Sequence, residues 1–214
     1  MKLSDYLSKL DSRNPIQLKP IDEDYVKKVW IQINKSEVED WRVTDKEVNR
    51  QLVAYLARSA SFKGDLSKGI LLIGENGTGK SRMLKALSLA MGYLHNFRFA
   101  IHSGLEIEDI YKRGGDRMNS LEMAMAQKMF GFDDIGEEHD YIKVFGTDVN
   151  VGIDVISRRY NHQMNVGCLT FGTTNLSLEM QAAKYGARIE SRMHEMFNVV
   201  YLRGKDLRKT KWKR

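Results

Sequence analysis

One segment, Gly74-Glu75-Asn76-Gly77-Thr78-Gly79-Lys80-Ser81, constrains the fold of this 214-residue chain more than any other. It fills the pattern G-x-x-x-x-G-K-[ST], in which glycines let backbone N–H groups wrap phosphates while the lysine reaches the β- and γ-phosphates. The preceding run, Gly69 to Ile73, fits a strand buried on both faces, and a helix is predicted from Lys80 to Leu94. This strand-loop-helix context is the one that the motif requires. The sequence therefore predicts a phosphate-binding loop (P-loop).

The whole loop and the residue after it are expected to contact the nucleotide. The predicted nucleotide-binding residues are Gly74, Glu75, Asn76, Gly77, Thr78, Gly79, Lys80, Ser81 and Arg82. The dipole of the helix N-terminus adds to the attraction of phosphate, and the Ser81 hydroxyl is the expected magnesium ligand. We therefore expect ATP or ADP together with Mg2+ as the cofactors.

Asp133-Asp134 follows the apolar run Met129 to Phe132 and fits a Walker B motif. In this motif the first carboxylate holds the magnesium shell and the second polarises the attacking water. We therefore predict Asp133 as a metal ligand and Asp133, Asp134 and Lys80 as catalytic. Because Asp134 reaches less far than the glutamate common at its position, Glu137 or Glu138 is a candidate to assist. Without the P-loop, such a pair would more often form a turn or a helix cap.

Thr173-Thr174-Asn175 ends another apolar strand. A polar side chain there is placed to sense the γ-phosphate or to orient water. The alternative role is to cap the following helix, and Asn175 is able to serve both purposes. Arg188 and Arg192 are four residues apart on a predicted helix and share one face; taken alone, such a pair is typical of a protein surface.

Strand and helix patterns alternate through the chain. Strands are predicted at 69–73, 97–102, 129–132, 166–172 and 197–202, with helices between them, including one from 149 to 160. Alternation predicts a parallel sheet with crossover helices, and thus an α/β fold. Two helices are predicted before the sheet, one from Asp22 and one after a capping box of Thr44 and Glu47.

Charge is unevenly distributed along the sequence. The net charge is +6, and residues 203–214 hold seven Lys and Arg against one Asp. Such a cluster attracts polyanions such as nucleic acid, and its alternative role is that of a solvated terminus. The single cysteine, Cys168, has no partner for an intramolecular disulfide, and no apolar run suits a secretory signal or a membrane span. We therefore expect a cytoplasmic protein with no membrane partner.

Taken in order, these motifs resemble the DnaC/IstB-like helicase loaders, AAA+ ATPases related to the replication initiator DnaA. The resemblance covers roughly residues 45–208 and rests on 74–81, 132–136, 155–160, 173–177 and 185–193. The ordered set of motifs is especially similar to the versions found on mobile elements and phages of Bacteroides-type bacteria. The resemblance implies a five-stranded parallel sheet in the order 5-1-4-3-2, flanked by helices.

The resemblance also implies roles for particular residues. The chain would hydrolyse ATP in DNA replication, and slowly in the absence of a partner. Asn175 would act as sensor 1 and Arg192 as an arginine finger donated to a neighbouring subunit, with Arg188 as the alternative finger. Lys112, Arg113 and Arg117 fall where initiator-type ATPases carry a helix that touches single-stranded DNA; their alternative role is a solvated face. The implied protein partner is a replicative helicase or, for an IstB-like transposition helper, a transposase.

Three segments are expected: an arm at 1–40 that is a candidate partner-binding segment, an ATPase domain at 41–204 and a basic tail at 205–214. Because little sequence follows the last predicted strand, we expect no C-terminal helical lid domain. A P-loop and this length also fit a small-molecule kinase, which is the alternative from another class.

Overall fold

The computed structural model describes residues 16–37 and 46–204, so Thr44 of the predicted capping box and the basic tail at 205–214 lie outside the described residues. The helices are α1 (Glu23–Glu37), α2 (Lys46–Leu56), α3 (Lys80–His95), α4 (Gly104–Arg113), α5 (Asp116–Met125), α6 (Val151–Val166), α7 (Leu178–Tyr185) and α8 (Ala187–Met196). The strands are β1 (Gly69–Ile73), β2 (Ile101–Ser103), β3 (Met129–Ile135), β4 (Ile142–Val144), β5 (Thr147–Val149), β6 (Leu169–Thr174) and β7 (Phe197–Tyr201).

Five of these strands form one parallel sheet, as predicted. In the numbering of all seven strands its order is β2-β3-β6-β1-β7, which differs from the expected 5-1-4-3-2. The difference has a structural cause, because β4 and β5 form a separate antiparallel hairpin that the sequence analysis did not predict. When the hairpin is left out of the count, the sheet strands run 2-3-4-1-5, which is the expected series read from its other edge.

The register of the sheet brings the carboxyl ends of its strands together. Ile73, the last residue of β1, pairs with Thr174 of β6 on one side and with Tyr201 of β7 on the other. Toward the other outer strand, Ser103 of β2 pairs with Asp133 of β3. The segments that follow these strands therefore all start at the carboxyl ends of the strands, where ligands of open α/β sheets bind.

All five residues of β1 are buried, which confirms the predicted strand buried on both faces. Other predicted bounds were wrong. The strand predicted at 97–102 is formed only at 101–103, and the one predicted at 166–172 begins at Leu169 because α6 continues to Val166. The helix predicted from 149 starts instead at Val151, where the Asn150 side chain accepts a hydrogen bond from the backbone N–H of Ile153.

Helix α1 is part of the main hydrophobic core. Val26 and Trp30 are 0% and 1% exposed and pack in the same cluster as strand β1 and helix α3. The indole Nε1 of Trp30 donates to Asn49 Oδ1 of α2 at 2.8 Å. The described part of the predicted arm thus packs in the same core as strand β1 and helix α3. Within the described ranges, no helix has the length and apolarity needed to cross a membrane.

Arg159 of α6 is fully buried and lies at the amino-end side of the sheet. Its guanidinium donates to the carbonyl oxygens of Met125 at 2.5 Å, Gln127 at 2.9 Å and Leu169 at 2.9 Å, and to Thr170 Oγ1 at 3.0 Å. It also lies over the ring of Phe130, with Cζ 5.5 Å from the centroid. One side chain thereby connects the segment before β3 to the beginning of β6.

Replacing Arg159 with alanine should lower the free energy of unfolding by about 3–5 kcal/mol, because it leaves a cavity and several buried acceptors without donors. Urea denaturation measures this loss. The control is Arg158→Ala, since that side chain is 48% exposed and its ion pairs contribute about 0–1 kcal/mol. Equal stability of the two variants would contradict the anchoring role of Arg159.

Candidate functional site

The P-loop is shaped by its glycines and by the end of β7. A methyl group on Gly74 would lie 2.5 Å from the carbonyl oxygen of Leu202, so only glycine fits there. Gly77 and Gly79 have φ values of 79° and 93°, in the left-handed region that other residues rarely adopt. Gly79 precedes α3 without a side-chain cap for the helix. The N-terminal amides of α3 are therefore directed at the space where phosphate binds in such loops.

Lys80 is the most enclosed charged group of the loop, with 5% of its surface exposed. Its Nζ donates to the carbonyl oxygens of Gly74 at 2.9 Å and Glu75 at 3.0 Å, and also to Asn175 Oδ1. The ammonium is thus held over the loop by oxygen acceptors. A phosphate oxygen is an acceptor of the same kind and carries charge as well.

Asp133 and Asp134, the predicted Walker B residues, lie at a bulge near the end of β3, where pairing with β6 shifts between Phe132 and Ile135. Thr173 of β6 holds both aspartates: its Oγ1 donates to Asp133 Oδ1 at 2.5 Å and accepts from the backbone N–H of Asp134 at 2.8 Å. Asp134 has a φ of 52°, which is uncommon for a residue with a side chain. Thr173 lies in the polar segment predicted to sense the γ-phosphate or orient water, and nothing in the sequence indicates this bridging role.

Ser81 and Asp133, the two predicted magnesium ligands, line one cavity of about 640 Å3 between α3 and the β2 edge of the sheet. Mg2+ prefers oxygen ligands and is commonly bound through one or two protein groups together with substrate phosphates. A hydroxyl and a carboxylate facing one cavity beside a P-loop fit that description. Across the described residues, no group of three or more His, Cys, Asp and Glu is placed to hold a metal ion.

The carboxyl group of Asp134 has a raised pKa. Burial is the largest cause, and the negative charges of Asp133 and Glu137 act in the same direction, while Lys80 and a hydrogen bond from Thr173 oppose them. A carboxylate that holds a proton more readily is a better acceptor of a proton from water. The environment of Asp134 therefore suits the base role that its position predicts.

Asn175 and Glu137 extend the site. Asn175 Oδ1 accepts from Lys80, and its Nδ2 donates to Glu137 Oε1 at 3.0 Å, so three loops are connected in series. Glu138 has a different role: it is 2% exposed, accepts from the Tyr185 hydroxyl and accepts from the backbone N–H of Gly136 at 2.9 Å. Of the two glutamates considered as helpers, the structure places Glu137 at the site and Glu138 in the packing beneath it.

The two candidate arginine fingers differ in their contacts. Arg192 Nη1 donates to Ser157 Oγ of α6 at 2.9 Å, and its guanidinium lies over the ring of Tyr160, 4.9 Å from the centroid. Arg188 is exposed and makes no hydrogen bond or ion pair within the described part of the chain. Both are on α8, away from the contacts of Lys80.

The three candidate DNA contacts are paired with acids of α4. Lys112 Nζ lies 2.5 Å from Glu108 Oε1, and Arg113 and Arg117 contact Asp109 at 2.7 and 3.2 Å. Their charges are thus largely balanced locally. Beside them, the unpredicted hairpin carries Phe145 at its tip, 90% exposed.

Together, the five-stranded parallel sheet and the glycine-rich loop between β1 and α3 form an α/β fold with a P-loop motif at the carboxyl ends of its strands. No protein-family model and no curated protein sequence matches the chain. Among solved structures, the chain is similar to the DnaC helicase loader, with a TM-score of 0.59 and 17% identity over 81% of this chain and 98% of that one.

Two further structures show the same fold. DnaI matches with a TM-score of 0.60 and 20% identity, covering 81% of this chain and 94% of that one. The replication initiator DnaA, bound to AMPPCP and single-stranded DNA, matches with a TM-score of 0.56 and 15% identity over 81% of this chain, which spans 52% of that protein's chain. At these identities the likeness concerns the fold.

Replacing Lys80 with alanine should abolish Mg-ATP binding or weaken it at least 100-fold, because the β- and γ-phosphates lose their cationic partner. Isothermal titration calorimetry measures this, with circular dichroism to show that the variant is folded. Lys63→Ala is the control, since Lys63 is 72% exposed and pairs with Glu47. Unchanged affinity in folded Lys80→Ala protein would refute the P-loop assignment.

Proposed function

We propose that the chain is an ATP-hydrolysing AAA+ protein that acts in DNA replication as a DnaC-like helicase loader. The observation that carries this proposal is the convergence of Lys80, Asp134 and Asn175 at one edge of the sheet, on a fold like that of the DnaC helicase loader over nearly the whole of that chain. ATP or ADP and Mg2+ are the proposed cofactors, with Ser81 and Asp133 as metal ligands.

Each group at the site has a proposed chemical task. Lys80 and the amides of residues 74–82 would hold the phosphates, and Ser81 and Asp133 would hold a magnesium ion, whose charge would offset that of the phosphates. Asp134 accepts a proton from the attacking water, and Asn175 orients that water against the γ-phosphate. Glu137, through its hydrogen bond with Asn175 Nδ2, positions the amide.

Assembly is proposed to complete the site. Arg192 of one subunit would reach the γ-phosphate bound by its neighbour, exchanging its contacts with Ser157 and Tyr160 for phosphate. Arg188, one turn earlier and exposed, is the alternative. Single-stranded DNA is a further proposed partner. The contacts of Lys112, Arg113 and Arg117 with Glu108 and Asp109 mean that DNA would have to compete with these carboxylates.

Partner capture from cells separates the loader from its two rivals. A tagged Asp134→Asn chain, which should retain ATP, is expected to recover a hexameric helicase. Recovery of a transposase would favour an IstB-like transposition helper. Transfer of the γ-phosphate to an added small acceptor would instead establish a kinase. The partner contact can be sought by deleting the proposed tail at 205–214 and, because Val26 and Trp30 of the proposed arm at 1–40 are core residues, by substituting only exposed positions of that arm. The proposed ATPase domain at 41–204 is kept in every variant. The assignment to a mobile-element or phage type rests on motif similarity.

Replacing Asp134 with asparagine should leave Mg-ATP affinity within about threefold and lower turnover by roughly 10²- to 10⁴-fold, because an amide does not accept the proton. Phosphate release measures turnover. Glu137→Gln is the matched comparison: its amide oxygen still accepts from Asn175, so turnover should fall by no more than about threefold. The reverse order of effects would identify Glu137 as the base and Asp134 as a positioning residue.

Replacing Arg192 with alanine should preserve ATP binding and reduce turnover in the assembled state by roughly 10³-fold or more, as expected for loss of an arginine finger. Mixing this variant with Lys80→Ala protein should restore part of the activity, because some interfaces then combine an intact P-loop with an intact finger. Arg188→Ala is the comparison variant. Restoration only with Arg188→Ala would transfer the role to Arg188, and none with either in co-assembled mixtures would contradict a finger acting between subunits.

A further inference from the structure

The bulge in strand β3 changes where its two aspartates point. Pairing with β6 shifts between Phe132 and Ile135, so Asp133 and Asp134 together lie opposite one residue of β6, Thr173. Successive side chains of a regular strand point to opposite faces of the sheet, and an extra residue in one strand interrupts this alternation. The φ of Asp134, 52°, marks the interruption. The two neighbouring carboxylates are therefore not forced onto opposite faces.

Both carboxylates lie at the candidate site. Asp133 lines the cavity that contains Ser81. The charges of Asp133 and Lys80 both act on the carboxyl group of Asp134. The bulge thus places two adjacent side chains beside the P-loop, and whatever stabilises the bulge also determines how these side chains are presented.

The hydroxyl of Thr173 supplies hydrogen bonds where the bulge interrupts the regular pairing. Thr173 is 0% exposed, and its Oγ1 accepts from the backbone N–H of Asp134 at 2.8 Å. A hydroxyl has a single hydrogen, and here it is donated to Asp133 Oδ1 at 2.5 Å. Within the described residues, the second oxygen of Asp133, Oδ2, has no hydrogen-bond donor. Thr173 therefore occupies one oxygen of this carboxylate and leaves the other for a different ligand.

A carboxylate with one occupied oxygen suits a small cation better than a large one. Mg2+ requires near-ideal octahedral geometry, with oxygens at about 2.0–2.1 Å, whereas Ca2+ takes about 6–8 oxygens at longer distances and binds carboxylates through one oxygen or through both. An O–H donor on Oδ1 competes with binding through both oxygens and leaves binding through Oδ2 unaffected. The arrangement of Thr173 and Asp133 therefore opposes the mode that only the larger cation uses.

We propose that Thr173 is a positioning residue that sets the cation selectivity of the site. By holding Oδ1 it limits Asp133 to one metal-binding oxygen, which favours Mg2+ over Ca2+. The inference rests on the proposed function, in which Asp133 is a metal ligand, and adds to it the residue that determines which metal is accepted. Thr173 acts through Asp133 and does not itself contact the metal.

Calorimetry of AMPPNP binding to the full chain, at saturating Mg2+ and at saturating Ca2+, tests this inference. The measured quantity is the ratio of the two affinities, and the wild type should bind AMPPNP more tightly with Mg2+. Thr173→Val keeps the shape of the side chain without the hydroxyl. It should lower the ratio about tenfold, because a hydrogen bond to a charged group contributes free energy of this order. Thr173→Ser keeps the hydroxyl and should hold the ratio within about threefold of the wild type.

Thr174→Val is the matched control. Thr174 is also 0% exposed, and its Oγ1 donates to the carbonyl oxygen of Ile135 at 2.6 Å and accepts from the backbone N–H of Leu176 at 3.0 Å. Each valine variant leaves one backbone N–H without its acceptor, so urea denaturation should show a loss of stability in both. Only Thr173→Val should change the ratio. If circular dichroism shows that Thr173→Val is unfolded, Thr173→Cys replaces it, since its S–H is a weak donor, and the ratio should again fall.

The outcomes distinguish this inference from the proposed function. An unchanged ratio in the folded Thr173 variant, with AMPPNP binding still lost in Lys80→Ala, overturns the inference and leaves the ATPase proposal standing. An equal fall of the ratio in Thr173→Val and Thr174→Val would show a general loosening of β6, which also overturns it. Equal affinities of the wild type with the two cations would do the same. Absence of AMPPNP binding to the wild type overturns both proposals.

Discussion

Parallel pairing of β1 with β6 and β7 is the constraint on which the site depends. It places Ile73, Thr174 and Tyr201 in one row, so the three segments that follow them must share the space at one edge of the sheet. Lys80 has oxygen acceptors there because Asn175 arrives beside the P-loop carbonyls. Burying an ammonium is costly without such partners. The geometry of the sheet therefore decides where the charge of the site is stabilised.

At the amino ends of the strands, Arg159 contributes to the stability of the fold and lies away from the candidate site. Arg159 connects the carbonyl groups that precede β3 and begin β6, and its charge is satisfied entirely by backbone and hydroxyl oxygens. Because β3 and β6 carry Asp133 and Thr173 at their other ends, a shift of one strand along the other would separate that hydrogen-bonded pair. A residue remote from Lys80 thus helps to keep Asp133 and Thr173 in register.

Sequence patterns were most informative where structure is determined locally. Strand β1 and its loop follow from four apolar residues after Gly69 and from correctly spaced glycines. The hairpin at 142–149 was missed because each of its strands has only three residues, too few for an alternating pattern to be recognised. It is held by packing of Ile142 on α4. Glu137 and Glu138 are chemically identical neighbours, and only the turn after β3 decides which one reaches Asn175. The burial of Arg159 has no sequence signal, because arginine is normally exposed.

The contacts of Lys80 also affect which anions the loop selects. Its ammonium already has three acceptors from its own chain, so binding of any anion is an exchange of ligands, and the net free energy is the difference between two sets of hydrogen bonds. A weakly basic anion such as chloride gains little from this exchange. A polyphosphate would add contacts with the loop amides to those with Lys80. By this argument, the contacts of Lys80 with its own chain would favour multidentate anions over monodentate ones.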